Sequence, residues 1–139
     1  MFTRIMAPVD LSDTGALTRA LEATADLARL HDIPVVYVSA TNAQPTSVAK
    51  SPKEFEKKLQ AFADAQAQTH GISTSAHAMV LHDKTADLDN ALVEVIDTVQ
   101  ADLVVMASHD PTFFDHFWSS NGGAVARNSN ASVMIVRGK

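Results

Sequence analysis

The sequence predicts a doubly wound α/β fold, in which one open parallel sheet of five strands is covered by helices on both faces. Five short runs rich in β-branched and apolar residues alternate with segments of helical apolar spacing, giving the order βαβαβαβαβ. Four of the five runs are almost continuously apolar, the pattern of strands buried on both faces. The 139 residues, 46% of them hydrophobic, make a chain of one-domain size with enough apolar surface for a real core.

Each element has a local reason. The first strand is read over Arg4–Val9 (RIMAPV), and the helix after it carries an apolar stripe of Leu17, Leu21, Ala25 and Ala28, broadened by Leu27 and Leu30. Ser12 or Asp13 can cap that helix by accepting a hydrogen bond from a first-turn amide. The second strand is Pro34–Ala40 (PVVYVSA), and the following Asn42–Lys50 stretch (NAQPTSVAK) reads as a flexible loop. Ser51-Pro52 opens the second helix with proline at its first position. Phe55, Leu59 and Phe62 form its stripe, and Gly71 stops it.

The third strand, Ser73–Leu81 (STSAHAMVL), alternates more than the others and belongs nearer an edge. Thr85 or Asp87 opens the third helix, which buries Leu88, Leu92, Val95, Ile96 and Val99. The fourth strand is Ala101–Ala107 (ADLVVMA), and a short helix from about Ser120 to Asn128 leads to the last strand, Ser132–Arg137 (SVMIVR). There is no second domain, internal repeat or low-complexity tract, so residues 1–139 are read as one domain.

Composition excludes several classes. With no cysteine there are no disulfides, no thiolate chemistry and no Cys-type zinc site. A net charge of −5 argues against a general nucleic-acid binder, which needs a basic footprint. No run approaches the roughly 18 apolar residues of a membrane span. The N-terminus, MFTRIMAPVDLSD, has neither the basic nor the long apolar part of a signal peptide, so a cytoplasmic address is expected.

In an open parallel sheet, ligands bind at the carboxyl ends of the strands where the strand order reverses. In the Rossmann-like, flavodoxin-like order 3-2-1-4-5, strands one and four flank that point. Their ends carry Pro8-Val9-Asp10 and Ala107-Ser108-His109. The stretch ASHDPTFFDHFWSSNGG, from Ala107 to Gly123, therefore occupies the position of a ligand loop.

Three segments carry a resemblance: APVDLSD after the first strand, VVMASHD at the end of the fourth, and SSNGGAVARNSNASVMIVR at the end of the chain. Together they resemble the universal stress protein family over essentially the whole chain. The resemblance implies an α/β fold with the strand order above, a homodimer formed through the last strand, and in many members binding of ATP or AMP. It gives Asp10 a role near ribose or adenine and gives Val38 the second-strand position whose backbone contacts adenine. Pro8, Val9, Asp10, Val38, Ala107, Ser108, His109, Ser119, Ser120 and Asn121 are thus the candidate nucleotide-binding residues.

The family's phosphate loop has glycines at three positions, which here fall on Ala107, Asp110 and Ser120, or on Ser119-Ser120 for the last pair. Neither alignment finds a glycine, so the motif is degenerate. Glycine serves such loops by permitting positive φ and close approach of phosphate oxygens to backbone amides. Asp110 adds a negative charge instead. Ser119, Ser120 and Asn121 can still cap the fourth helix, whose N-terminus attracts anions.

Charge points the same way. No lysine or arginine occurs between Lys84 and Arg127, so a triphosphate is expected to meet no local cation except His109, His116 or a bound Mg²⁺ held with Asp10. Phe113, Phe114, Phe117 and Trp118 are half of the chain's eight aromatic residues. They are read as a hydrophobic plug over the carboxyl end of the sheet or as an exposed surface for a partner chain or an apolar ligand; stacking on a base is a third use.

His77 and His82 are separated along a strand and its exit, and His109 and His116 sit in the loop beside Asp110 and Asp115. Without cysteine or a helical His-x-x-x-His pair, no metal site is predicted. Ser108-His109-Asp110 is not a catalytic triad, because triads are assembled from separated positions, and no Gly-x-Ser-x-Gly elbow is present. Val133, Met134, Ile135 and Val136 form an apolar edge that pairing with a second copy across a two-fold axis removes. Alternatively, the fourth helix and Lys139 shield it. The expected function is a non-catalytic, dimeric stress-response binding or interaction module with weak or lost nucleotide binding. The alternative is an ATP or AMP sensor using the crevice between strands one and four.

Overall fold

Ile5, Met6, Ala7 and Pro8 offer no side chain that prefers water, and all four are buried as strand β1 (Ile5–Pro8). The computed structural model describes residues 1–81, 88–108 and 121–138, with the backbone alone at 88, 89, 121 and 122. Strand β1 pairs in parallel with β2 (Val35–Asn42) from Ile5↔Val35 to Pro8↔Val38. On its other side it pairs with β4 (Leu103–Ala107). β3 (Thr74–Leu81) lies outside β2, and β5 (Ser132–Val136) lies outside β4. The sheet is parallel throughout and its order is β3-β2-β1-β4-β5, as read from the sequence.

The helices start and stop where local chemistry dictates. Asp13 accepts from the Ala16 amide at 3.3 Å and caps a single 3-10 turn, Thr14–Leu17, that runs into α1 (Thr18–His31). Helix α2 (Pro52–His70) has Ser51 as its cap, accepting from the Glu54 amide at 3.1 Å. It ends at Gly71, whose φ of 66° is the left-handed conformation glycine adopts without a Cβ penalty. Helices α3 (Leu88–Val99) and α4 (Asn121–Asn128) complete the set. The expected caps Thr85 and Asp87 lie outside the described residues.

Alternation along the central strands builds a core on each face of the sheet. Met6, Val36, Val38, Val104 and Met106 pack with Leu92, Val95 and Ile96 of α3 and Val125 of α4. Ile5, Ala7, Val35, Tyr37 and Val105 pack with Leu17, Leu21 and Ala28 on one side and Leu59 and Ala63 of α2 on the other. Burying each large aliphatic side chain contributes about 1.5–3 kcal/mol, so these layers fix the register of the sheet. The register in turn fixes which strand ends meet.

Three expectations are corrected. Leu30 does not broaden the α1 stripe. It is 76% exposed, because it lies roughly 200° further round the helix than buried Ala28. The Asn42–Lys50 stretch is tied down rather than loose: the Thr46 amide donates to the Ala49 carbonyl at 2.8 Å, Lys58 holds the Val48 carbonyl, and Ala49 is buried.

The last strand, read as buried on both faces, is not. Met134 and Ile135 are 44% and 45% exposed. They point to opposite faces of an edge strand, so α4, which lies on one face, cannot cover both.

Candidate functional site

The crevice begins where two strands part. β1 and β4 pair only at Ile5↔Leu103 and Met6↔Val104. Beyond that point β1 continues beside β2 to Pro8↔Val38, and β4 continues beside β5 to Ala107↔Val136. The carboxyl ends of the two central strands therefore carry Pro8-Val9-Asp10 on one lip and Ala107-Ser108 on the other.

On the first lip, the Val9 amide donates to the Val38 carbonyl at 2.8 Å, and the buried Ser39 hydroxyl donates to the Val9 carbonyl at 2.6 Å. These bonds hold the chain in line with β2 up to its exit at Asp10. Asp10 is half-buried, and its Oδ1 accepts from the Ser12 amide at 2.9 Å and from the Ser12 hydroxyl at 2.6 Å. The carboxylate thus closes its own turn, and the cap of the next element is left to Asp13.

On the second lip, the Ser108 amide donates to the Val136 carbonyl at 2.8 Å. The Arg137 guanidinium donates to Ser108 Oγ at 3.1 Å. This corrects the expectation that the only cations near the crevice are His109, His116 or a bound metal. Parallel pairing of Ala107 with Val136 necessarily sets residue 137 beside residue 108. Among the described residues no carboxylate lies within ion-pair distance of Arg137.

Because α4 connects parallel neighbours β4 and β5, its N-terminus faces the same end of the sheet. Its positive dipole end adds to the arginine. Chemically this lip can hold an anion. The described partner of the Ser108 hydroxyl is a permanent cation and not a base that removes its proton. Among the described residues no cluster of three histidine, aspartate or glutamate side chains is placed to hold a metal ion, and no helix is long and apolar enough to cross a membrane.

The sequence model of the universal stress protein family matches residues 1–137. The chain belongs to the universal stress protein family. Universal stress protein G of Salmonella typhimurium is 26% identical to it over 143 residues, covering 99% of this chain and 100% of the relative. The crystal structure of a universal stress protein in complex with cAMP matches it with a TM-score of 0.71 at 20% identity, over 99% of both chains. The universal stress protein from Archaeoglobus fulgidus in complex with dAMP matches with a TM-score of 0.64 at 22% identity, over 96% of both chains. At these identities the structural likeness establishes the shared fold.

In this universal stress protein, Pro8, Val9 and Asp10 leave the end of β1 beside Val38, midway along β2, with Ala107 and Ser108 across the crevice. Asn121 is the first residue of α4. His109, Ser119 and Ser120 lie outside the described residues, as do Asp110 and the aromatic residues Phe113, Phe114, Phe117 and Trp118.

Of the strand assigned to the dimer, Val133 and Val136 are half-buried against the two core layers, and Met134 and Ile135 project from it. Sequence reasoning missed Ser39, which fastens the first lip, and Arg137. The signal for Arg137 was present: counting the last strand in register with the fourth puts its final residue beside Ser108.

Proposed function

We propose that this universal stress protein is a non-catalytic binding module of stress physiology whose nucleotide crevice is degenerate, holding ATP weakly or not at all, and that it acts as a homodimer through β5. The observation that carries the reading is the internal engagement of both lips. Asp10 is bonded to Ser12, and Ser108 to Arg137. A ligand that needs Asp10 Oδ1 must displace bonds the chain already makes, so its net gain there is small, and what is left to it is Oδ2 and the Ser108 hydroxyl proton. Ala107, at the position of the first loop glycine, adds a Cβ where phosphate would approach the backbone. The exposure of Met134 and Ile135 on both faces of an edge strand supports the dimer.

One observation favours a second reading, an AMP or ATP sensor. Arg137 brings a cation to the lip where a phosphate would lie, and universal stress proteins of this fold are found in complex with cAMP and dAMP. In that reading Asp10, Ser108, Ser119, Ser120 and Asn121 serve the ligand. Asp10 offers a single carboxylate to Mg²⁺, which would neutralise phosphate charge when bound with a nucleotide.

Native mass spectrometry of the purified protein, followed by calorimetric titration with Mg-ATP and AMP, separates the two. The degenerate-crevice reading expects no co-purified nucleotide and no micromolar binding of ATP. Micromolar Mg-ATP binding overturns it.

A further inference from the structure

The sheet has two edges, and the one opposite β5 is unguarded. β3 is eight residues long, TSAHAMVL, without proline, lysine, arginine or acid. Its register with β2 runs unbroken from Val35↔Thr74 to Asn42↔Leu81, so no bulge turns it away. Natural edge strands are usually blunted by such devices. Among the described residues no element pairs with its outer side.

Which backbone groups are free follows from one bond. The Ser73 carbonyl accepts from the Val35 amide at 2.9 Å, so Ser73 and the alternate residues Ser75, His77 and Met79 turn their backbone toward β2. Thr74, Ala76, Ala78 and Val80 turn theirs outward, and Val80 is 40% exposed.

A groove flanks this strand on each face. On the α2 face, a groove of about 330 Å³ has Ala76 and Ala78 as its floor and Lys53, Glu56, Lys57 and Gln60 as its wall. On the opposite face, a groove of about 350 Å³ is lined by Arg4, Ser75, His77 and Thr98. The small alanines leave room for side chains of an added strand, and the second groove offers them polar partners.

The charge selects the occupant. Four of the chain's eleven lysines and arginines, Lys50, Lys53, Lys57 and Lys58, fall at the start of α2, in a chain of net charge −5. Lys58 is paired with Glu54, whereas Lys53 and Lys57 have no carboxylate within ion-pair distance among the described residues. The two stand one helical turn apart, about 6 Å along the helix. Alternate residues of a strand repeat at about 6.7 Å.

We propose that the free edge of β3 docks an extended acidic segment of a partner protein, which joins the sheet as a further strand and sets alternate carboxylates against Lys53 and Lys57. Main-chain hydrogen bonds hold the segment, and the lysines choose it. A second copy of this chain is the poorer occupant. β3 itself carries no acidic residue to set against Lys53 and Lys57 of another copy.

The test uses a fluorescein-labelled eight-residue peptide of alternating glutamate and valine, with an alternating lysine and valine peptide as control, read by fluorescence anisotropy. The glutamate peptide is expected to bind the intact protein and the lysine peptide not. Lys53→Glu with Lys57→Glu should weaken binding roughly tenfold or more, since both contacts turn repulsive. Ala78→Pro removes an outward amide without breaking a bond to β2, and should abolish binding while circular dichroism stays native.

No anisotropy change with the glutamate peptide overturns the proposal, as does equal binding of the lysine peptide or an affinity unaltered by the lysine substitutions. A self-assembly in sedimentation that Ala78→Pro dissolves would instead assign the edge to a second copy. None of these outcomes depends on whether the crevice binds a nucleotide.

Discussion

Arg137 donates to Ser108 Oγ at 3.1 Å, joining the end of β5 to the end of β4 across one lip of the crevice. The two residues are 29 positions apart in sequence and meet because their strands run parallel and in register. The contact puts the only described cation of the lip on the residue that follows the exposed edge strand. Ligand chemistry and the proposed dimer strand are thus covalent neighbours.

If an adenine nucleotide is held at all, Arg137 meets its phosphate. Arg137→Gln keeps a hydrogen-bond donor but removes the charge. Calorimetry is expected to show several-fold weaker AMP binding, with the difference shrinking as salt is raised. Adenosine, which lacks the phosphate, should bind both proteins alike. Equal AMP affinity would mean that the arginine serves only the fold.

The dimer reading rests on Met134 and Ile135. Replacing both with lysine places two charges on the edge that pairing would bury. Sedimentation velocity should show a dimer for the unaltered protein and a monomer for Met134→Lys/Ile135→Lys, with circular dichroism unchanged. A monomer in both cases would refute the pairing.

Tyr37 is fully buried and stacks edge-on against Phe62, with ring centroids 5.4 Å apart, and its hydroxyl has no hydrogen-bond partner among the described residues. Burial pushes its pKa up to about 12. The raised folded-state value means that the unfolded chain loses this proton first. The contribution to stability is complete below about pH 10 and is lost as pH rises from there toward 12. It is the chain's only tyrosine, so tyrosinate absorbance reports it directly. Tyr37→Phe removes an unpaired buried hydroxyl and should stabilise the fold by about 1 kcal/mol in urea denaturation. Any extra loss of stability attributable to Tyr37 above pH 10 should vanish with it.

Asp102 fastens the N-terminus to the start of β4. Its carboxylate accepts from the Thr3 amide and hydroxyl at 3.0 Å and from the Arg4 amide at 3.1 Å. Partial burial pushes its pKa up, but these hydrogen bonds outweigh it and hold the carboxyl below its usual value. A depressed folded-state pKa contributes stability above the unfolded value, near 3.9, and loses it as pH falls through the folded one. Asp102→Ala should therefore cost about 1 kcal/mol or less at pH 7. Urea midpoints of the two proteins should draw together as pH falls below the unfolded value. A constant gap across that range would refute the linkage.

Local chemistry was the readable part. Ser51, Pro52 and Gly71 specify the ends of α2 from within a few residues, because a cap and a left-handed stop act on their own neighbourhood. The apolar runs specified the buried central strands because a strand covered on both faces must be apolar on both. Leu30 was misread because, near the end of a helix, a hydrophobic residue can fall outside the buried arc.

The sequence by itself determined the element order, since strands alternate with crossover helices, and its resemblance to the universal stress protein family supplied the strand order and with it the position of the crevice. Only the tertiary structure decided which polar groups meet there. Ser39 reaches the Val9 carbonyl across 30 positions, Arg137 reaches Ser108 across 29, and β5 leaves Met134 and Ile135 exposed, one on each face, despite its apolar run. Each outcome depends on which strand ends lie side by side and which faces find a helix. Packing settles that after local structure has formed.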